Sequence, residues 1–427
     1  MSANASSPVW HPFTQHGLEE PIPLVERAEG AALYLADGRR IVDAISSWWV
    51  TTHGHANPHI AAAIAVQAAQ LDQLIFAGWT HEPAETLARD LIAMMPRSQS
   101  EAPLAHVFFS DSGSTSVEVA LKMALGFWAN RGAPRHRILV MEHSYHGDTI
   151  GAMSIGARGV FNQAYEKLLF DVGTVPFPTA GGEQATFDAL DAACRAEAIA
   201  AFIVEPLVLG AGGMLVYPAE VLREMRAICQ RHGVLFIADE VMTGWGRTGT
   251  LLACEQAGIT PDILCLAKGL TGGALPLAVT LATPAIFEAH WSKDPARQFF
   301  HSSSYTANPI ACAAANANLA IWRNEPVMQR IADLTERQGA LLAELAKLPR
   351  VANPRQAGTI IALDVADERG AGYLSEVGPK LRESFRAAPV LLRPLGNTIY
   401  VMPPYCTDAD DLGPIREAIV QAIGAAA

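Results

Sequence analysis

Residues 237–249 read IADEVMTGWGRTG, and residues 262–273 read DILCLAKGLTGG. Each stretch opens on a short, nearly continuous apolar run that leads to a charged residue, Asp239 in the first and Lys268 in the second. Runs of this kind, bounded by polar residues, are typical of strands buried on both faces of a parallel sheet. We therefore predict that both ionisable side chains lie at the carboxyl ends of buried strands.

Four further apolar runs surround these two stretches. They are HVFFS (106–110), RILVM (137–141), IAAFIVEP (199–206) and LAVTLAT (277–283). The runs alternate with amphipathic stretches, which predicts an α/β fold whose large domain, residues 61–324, contains a mostly parallel sheet. We expect residues 1–60 and 325–427 to form a smaller α+β domain built from both chain ends, with a helix near Pro326–Leu348.

Composition limits the possible functions. The formal net charge of the 427 residues is -12, which argues against nucleic acid because a phosphate backbone is bound by clustered lysines and arginines. The N-terminus has no secretory signal pattern, and no apolar run is long enough to span a bilayer, so we expect a soluble cytoplasmic protein. The six cysteines are scattered without a CxxC pair. They are expected to be reduced core residues rather than metal or redox centres, and we expect no metal site.

The segment FFSDSGSTSVEVALKMA (108–124) runs from a predicted strand into a predicted helix across Ser112, Gly113 and Ser114. A helix N-terminus presents unpaired N–H groups and the positive end of the helix dipole, which together suit a phosphate. The alternative is an ordinary helix cap on a surface turn.

Asp239 and Lys268 each have two interpretations. A buried carboxylate requires a partner, and a protonated pyridine nitrogen would be one, but Asp239 could also cap the turn that follows it. A buried lysine has a lowered pKa and can attack an aldehyde, but Lys268 could also extend its amine to solvent. The candidate phosphate site, pyridine partner and reactive lysine occur in this order, each at a strand end, which favours one shared site over three independent coincidences.

The stretches around Asp239 and Lys268 closely resemble the signature of the class III aminotransferases, which use pyridoxal 5'-phosphate and have PLP fold type I. The resemblance covers essentially the whole chain. It implies that Lys268 is the Schiff-base lysine, that Asp239 binds the pyridine nitrogen, and that Tyr145 stacks on the ring. These three are the expected catalytic residues. The wider set of expected cofactor-binding residues is Ser112, Gly113, Ser114, Tyr145, His146, Glu205, Asp239, Val241, Lys268 and Ser304.

The same resemblance implies a homodimer with shared active sites. In this family the segment that corresponds to HSSSYTANP (301–309) completes the phosphate site of the partner chain. Ser304 stands where family members usually carry threonine, and residues 301–304 read HSSS where many members have HGPT.

Within the class, the chain is most similar to the branch that converts 8-amino-7-oxononanoate to 7,8-diaminononanoate in biotin biosynthesis with S-adenosylmethionine as amino donor. The motifs that carry this likeness include WHPFTQ (10–15), DAISSWWVTTHGH (43–55) and LRPLGNTIYVMPPY (392–405). Phe13 replaces a tyrosine that is frequent in this branch, and a lysine-using branch also resembles the chain at HPFTQ, so lysine stays open as the donor.

The substrate that this resemblance implies is amphiphilic, and the candidate residues fit it. Trp48 and Trp49 offer apolar faces for an aliphatic chain, and Arg393 can bind a carboxylate through two hydrogen bonds. On a strand, the adjacent tryptophans cannot both face the core, so we expect at least one to face a cavity or a partner chain. The complete set of expected substrate residues is Phe13, Trp48, Trp49, Arg247, Arg393 and Tyr400, with Arg247 as the fallback carboxylate partner.

Two other functions are alternatives. A general omega-amino acid:pyruvate or diamine aminotransferase would share every cofactor residue, and the SSWW motif and the Arg393 region argue against it. A scaffold without turnover would be expected to lack Lys268 or Asp239, and both are present.

Overall fold

The computed structural model describes residues 2–3, 7–98, 100–159, 161–196, 198–367 and 375–426. Residues 1 and 4–6, which belong to the N-terminal stretch without a secretory signal pattern, lie outside these ranges. The strands are β1 (Ser2–Ala3), β2 (Ile22–Pro23), β3 (Val25–Glu29), β4 (Ala32–Leu35), β5 (Arg40–Asp43), β6 (His106–Ser110), β7 (Arg137–Met141), β8 (Gly173–Val175), β9 (Ile199–Val204), β10 (Val208–Leu209), β11 (Leu215–Val216), β12 (Leu235–Asp239), β13 (Ile263–Leu266), β14 (Ala278–Ala282), β15 (Val351–Ala357), β16 (Ile360–Val365), β17 (Val390–Leu391) and β18 (Thr398–Val401).

Helices separate most of these strands. They are α1 (Ser46–Trp49), α2 (Pro58–Ala68), α3 (Glu82–Met94), α4 (Gly113–Asn130), α5 (Ile150–Ser154), α6 (Glu183–Ala196), α7 (Ala219–Arg231), α8 (Cys254–Ala257), α9 (Pro284–His290), α10 (Pro309–Asn324), α11 (Val327–Leu345), α12 (Val377–Ala387) and α13 (Ala409–Ala425). Short 3-10 turns occur at His16–Leu18, Gln163–Leu168, Lys268–Thr271 and Pro295–Arg297. Among the described residues, no helix is both long enough and apolar enough to cross a bilayer.

The central sheet has seven strands in the order β6-β14-β13-β12-β9-β7-β8. All six apolar runs identified in the sequence are strands of this sheet, and β9, β12, β13 and β14 are buried along their whole length. Strand β14 runs antiparallel to both of its neighbours, whereas the other pairings are parallel. The predicted α/β fold with a mostly parallel sheet is therefore confirmed.

The register of this sheet brings its polar tips together. Ala238 pairs with Val204 of the neighbouring strand. The next residue on each strand, Asp239 and Glu205, therefore lies at the same edge of the sheet. Asp239 itself pairs with Cys265 of β13, shortly before Lys268. In open α/β sheets, ligands bind beyond the carboxyl ends of the strands, and this edge therefore positions the site.

Two smaller sheets lie outside the central one. The four-stranded sheet has the order β17-β5-β4-β3, and its β17–β5 pair joins Val390 near one chain end to Val42 near the other. The three-stranded sheet β15-β16-β18 comes from the C-terminal part alone. Helix α11 coincides closely with the predicted helix at Pro326–Leu348. Both chain ends thus contribute to one small sheet, while the exact domain boundaries at residues 60 and 324 stay a prediction.

Two local expectations were wrong. Trp48 and Trp49 lie on the irregular helical segment α1 rather than on a strand, because Ser46, Ser47 and Trp49 all have positive φ. The cysteines are free, and five are buried as expected, but Cys406 is exposed and is not a core residue.

Candidate active site

Helix α4 begins at the tip of β6. Ser112 is its N-cap, and a capping box joins Ser112 to Thr115: each side-chain oxygen accepts a hydrogen bond from the backbone N–H of the other residue. Within the described residues, the N–H groups of Gly113 and Ser114 have no acceptor. The capping function is therefore real, and it leaves these two donors available for an anion.

Gly113 and Gly147 allow close packing around this helix start. A Cβ atom on Gly113 would lie 2.7 Å from Val241 Cγ1, and one on Gly147 would overlap the Ser114 side chain. Ser114 Oγ also accepts a hydrogen bond from the Asp148 N–H at 3.3 Å. The helix N-terminus is thus held directly against Val241 and the segment that carries Tyr145 and His146.

Asp239 is buried at the tip of β12 and is paired with a histidine. Its Oδ2 lies 2.7 Å from His146 Nδ1, and its Oδ1 accepts a hydrogen bond from the Val241 N–H at 3.1 Å. His146 Nε2 is buried and has no hydrogen-bond partner among the described residues. A buried polar atom without a partner calls for a ligand or a water, so this part of the site is incomplete in the chain alone.

Glu205 follows the neighbouring strand β9 and holds two backbone segments in place. Its carboxylate accepts hydrogen bonds from the N–H groups of Tyr145 and Gly210, both at 2.9 Å. Burial raises the pKa of Glu205 to about 7, opposed by His146 and reinforced by the nearby Asp239. Burial, followed by Asp148, raises the pKa of the Tyr145 hydroxyl, which keeps it neutral.

Lys268 follows β13 and turns back into the same space. Its Nζ lies 5.2 Å from the centre of the Trp49 ring. Burial lowers the pKa of Lys268 to about 8, while Asp239 and Glu205 oppose this shift and Arg247 adds to it. An appreciable fraction of the amine is therefore neutral near pH 8, as a nucleophile must be.

These groups line one cavity of about 620 Å³. It brings together nearly all of the residues that the sequence singled out: Phe13, Trp48, Trp49, Ser112, Gly113, Ser114, Tyr145, His146, Glu205, Asp239, Val241, Lys268, Arg393 and Tyr400. These groups fit pyridoxal phosphate, which has a phosphate, a basic ring nitrogen and an aldehyde. The start of α4 suits the phosphate, Asp239 suits the ring nitrogen, and the Lys268 amine suits the aldehyde. The unpaired imidazole nitrogen of His146 is a further polar contact.

The family model for class-III aminotransferases matches residues 14–423. This chain belongs to the class-III aminotransferases. Its relatives include two proteins named adenosylmethionine-8-amino-7-oxononanoate aminotransferase. The one from Synechococcus elongatus is 49% identical, covering 96% of this chain and 97% of the relative. The one from Nitratidesulfovibrio vulgaris is 40% identical, covering 97% and 80%.

Solved structures share the fold of this aminotransferase. The enzyme of that same name from Methanocaldococcus jannaschii superimposes with a TM-score of 0.92 at 32% identity, covering 98% of this chain and 97% of that one. An amine transaminase from an uncultivated Pseudomonas species, described in a PLP-bound form, has the same TM-score and identity and covers both chains fully. Fold type I is therefore shown, and the fold is common to enzymes with different substrates.

The mouth of the aminotransferase cavity is aromatic. The Phe13 ring lies 5.6 Å from the Trp48 ring and 6.2 Å from the Phe161 ring, between centroids. The Arg393 guanidinium is about equally far from Phe13 and Trp48, at 6.0 and 5.9 Å, and its Nη2 donates to the Phe13 carbonyl at 3.0 Å. The mouth therefore combines apolar surface with one positive charge.

Deeper in the cavity, Trp49 is fixed rather than free. Its Nε1 donates to the Tyr400 hydroxyl at 2.9 Å, and the two rings meet nearly edge to face. Trp48, by contrast, is 46% exposed. One tryptophan forms the inner wall and the other faces the cavity mouth, as the expectation for this pair requires.

Two predicted site residues lie elsewhere. Arg247 is buried outside the cavity lining, where it donates to the carbonyls of Thr51 and Pro403 at 2.9 and 3.0 Å. Its donors thus brace the backbone behind the two tryptophans, and its fallback role as a carboxylate partner stays a prediction. Ser304 also lies outside the lining and is exposed, and its carbonyl accepts a hydrogen bond from Gln73.

Sequence reasoning missed some residues of the lining. Phe161 completes the aromatic mouth, and Leu275 and Pro276 line the cavity ahead of β14. Phe161 lies in an irregular segment without a motif, and no local pattern indicates it. The turn before β14 could have been found only if the antiparallel direction of that strand were known.

Proposed function

We propose that this aminotransferase converts 8-amino-7-oxononanoate to 7,8-diaminononanoate in biotin biosynthesis, with pyridoxal 5'-phosphate as cofactor and S-adenosylmethionine as amino donor. The observation that carries the proposal is a single cavity with Lys268 and Asp239 at its base and Trp48 and Arg393 at its mouth. The names of the relatives described above support the substrate and the donor.

The residues divide the work between binding and proton transfer. Ser112, Gly113 and Ser114 would hold the phosphate, and Asp239, oriented by His146, would keep the ring nitrogen protonated. Pyridoxal phosphate supplies an aldehyde for amine attachment and an electron-accepting ring. Lys268, whose amine is partly neutral because it is buried, would move a proton from the donor carbon to the aldehyde carbon of the cofactor. In the second half-reaction it would move a proton in the opposite direction, from that cofactor carbon to the keto acid carbon. Ping-pong kinetics follow from this division.

The proposal includes a cytoplasmic homodimer. A second copy would bring its Ser304 to the phosphate site, which is consistent with the exposure of Ser304, Phe300 and Tyr305 on the single chain. The mass of the protein in solution, measured by light scattering, tests the dimer.

A second candidate is a general amine transaminase, favoured by the amine transaminase that matches this fold equally well. The two functions are separated by adding one amino donor at a time to the pyridoxal phosphate form and following its visible absorption band. Loss of the band with S-adenosylmethionine, followed by its return with 8-amino-7-oxononanoate, supports the proposal. Loss with simple amines and no return with this keto acid contradicts it.

Arg393→Ala is expected to weaken binding of the keto acid and to leave the donor half-reaction comparatively intact. A hydrogen bond to a charged group is worth about 1.5–3 kcal/mol, so the KM for the keto acid should rise roughly 10- to 150-fold. Arg393→Lys is the matched variant, because it keeps the charge but loses the planar pair of donors. Its KM for the keto acid should lie between those of the wild type and Arg393→Ala. Stopped-flow measurement of each half-reaction checks this, and equal damage to both would contradict an assignment to the keto acid alone.

Phe13→Tyr is expected to tighten S-adenosylmethionine binding or speed its half-reaction. The added hydroxyl can hydrogen-bond a polar donor, an interaction worth roughly 0.5–1.5 kcal/mol, or about two- to twelvefold. Phe161→Tyr adds the same group to a neighbouring ring and serves as the control. If S-adenosylmethionine leaves the absorption band unchanged while lysine bleaches it, lysine is the donor.

A further inference from the structure

Lys268 lies on a backbone that is unfavourable for a side chain. Its φ is 44°, in the left-handed region, and it opens the 3-10 turn Lys268–Thr271. A residue other than glycine persists in this region only when its surroundings impose it. The contacts that impose this turn therefore also decide where the amine lies.

Asn318, on helix α10, makes the most direct of these contacts. Its side chain is fully buried, and its Nδ2 donates to the carbonyl oxygens of Gly269 and Leu270, both at 3.0 Å. Both donor hydrogens of the amide are thus used on the two peptide units that follow Lys268. The Gly269 carbonyl also accepts a hydrogen bond from the Gly272 N–H at 3.0 Å, so the Leu270 carbonyl depends more on Asn318. A buried carbonyl without a partner is costly.

The opposite side of the turn is closed by packing. A Cβ atom on Gly269 would lie 2.8 Å from Trp245 Cβ and 2.9 Å from Thr52 Cγ2. At the end of the turn, a Cβ atom on Gly272 would lie 3.2 Å from Asn318 Oδ1. The backbone is therefore held between α10 on one side and the Trp245 segment on the other.

The space behind Asn318 is unusual in its polarity. Within the described residues, Trp322 Nε1 is buried without a partner, and the buried side chains of Asn318 and His53 interact with each other. Burial lowers the pKa of His53 to about 4, although the Asn318 side chain opposes this shift, so the ring is neutral and does not place a charge next to the turn. Asn318 is itself uncharged, so its contact with the Lys268 turn consists only of neutral hydrogen bonds.

We propose that Asn318 is a positioning residue that holds the Lys268 amine in the cavity by clamping the two carbonyls that follow it. The inference rests on the proposed function in so far as Lys268 carries the chemistry. Loss of the clamp would let the turn relax toward the right-handed region and move Nζ away from the Trp49 face. The amine would then be more hydrated and farther from Asp239 and Glu205.

The test uses Asn318→Leu, which keeps approximate size and adds no charge, and Asn318→Ser as a second variant in case leucine does not fit. The pKa of Lys268 is measured in the cofactor-free protein from the pH dependence of its reaction rate with a small acylating reagent. Peptide mass spectrometry identifies Lys268 as the labelled residue. In the wild type, the charged groups that set this value are Asp239, Glu205 and Arg247. We expect the proton affinity of Lys268 to rise about tenfold in both variants. Burial is the largest cause of the lowered pKa, so hydration of the amine outweighs the weaker attraction of Asp239 and Glu205.

Asn316→Leu is the matched control. Asn316 lies on the same helix α10 and donates from its amide Nδ2 to one carbonyl, that of Pro83 at 2.9 Å, which is not part of the Lys268 turn. It should lower thermal stability and leave the Lys268 pKa unchanged. In the enzyme loaded with pyridoxal phosphate, the Asn318 variants should lose kcat about tenfold or more with little change in KM.

An unchanged Lys268 pKa in a folded Asn318 variant, accompanied by a lower Tm alone, would overturn the inference and leave Asn318 a purely structural residue. The proposed function is tested separately, by adding pyridoxal phosphate to the wild-type protein. If it forms no visible band with pyridoxal phosphate, the proposed function fails, while the labelling result with cofactor-free protein still decides the role of Asn318.

Discussion

Lys268→Ala is expected to fold normally and to lose multiple turnover. The cofactor could then bind only without a covalent bond, and no amine would remain to move the proton. Proton transfer by a positioned side chain alone is worth about 10²- to 10⁴-fold in rate. Steady-state assays with both substrates, beside the visible spectrum of the loaded protein, measure the loss.

Two controls sharpen this prediction. Lys380→Ala removes an exposed lysine of α12 and should leave turnover intact. A small primary amine added to Lys268→Ala should restore part of the rate, because it supplies the missing proton acceptor from solution. Turnover near the wild-type rate in Lys268→Ala would remove the basis of the proposed function.

Asp239→Asn is expected to keep some cofactor and lose most activity. The amide can still accept a hydrogen bond from the Val241 N–H, but it cannot hold a positive charge on a ring nitrogen. Breaking a buried charge pair costs about 3 kcal/mol or more. At about 1.4 kcal/mol per factor of ten, the rate should fall more than a hundredfold.

The adjacent carboxylate supplies the matched control. Glu240 is fully buried and accepts hydrogen bonds from the N–H groups of Ala253 and Cys254, both at 2.8 Å, so it acts as a structural cap. Glu240→Gln should lower Tm and keep the specific activity of the folded protein. If Asp239→Asn shows this same pattern, Asp239 is a cap and its proposed role at the cofactor is wrong.

The core of the fold and the base of the site were predictable from local sequence. A buried strand needs only a short apolar run, and a polar residue at its end needs a reason to be there, so Asp239 and Lys268 can be recognised without knowing their neighbours. The N-cap at Ser112 is equally local, because a capping box depends on residues three apart.

The walls of the site were predicted less well. The motif around Trp48 and Trp49 lies at the cavity, and contact with the substrate stays a prediction. The strand assigned to the motif was wrong, since the positive φ values at Ser46, Ser47 and Trp49 have no clear signal in the sequence. Arg247 had the right chemistry for a carboxylate, yet its donors bind backbone carbonyls about 150 or more residues away in sequence.

The sequence by itself thus determined the fold class, the family and the chemical groups at the strand tips. Only the tertiary structure decided the antiparallel direction of β14, the burial of Arg247, the place of Phe161 at the mouth and the clamp of Asn318 on the Lys268 turn. The reason is physical: hydrophobic periodicity and caps act over a few residues, whereas the direction and partners of a side chain depend on packing between segments far apart in the chain.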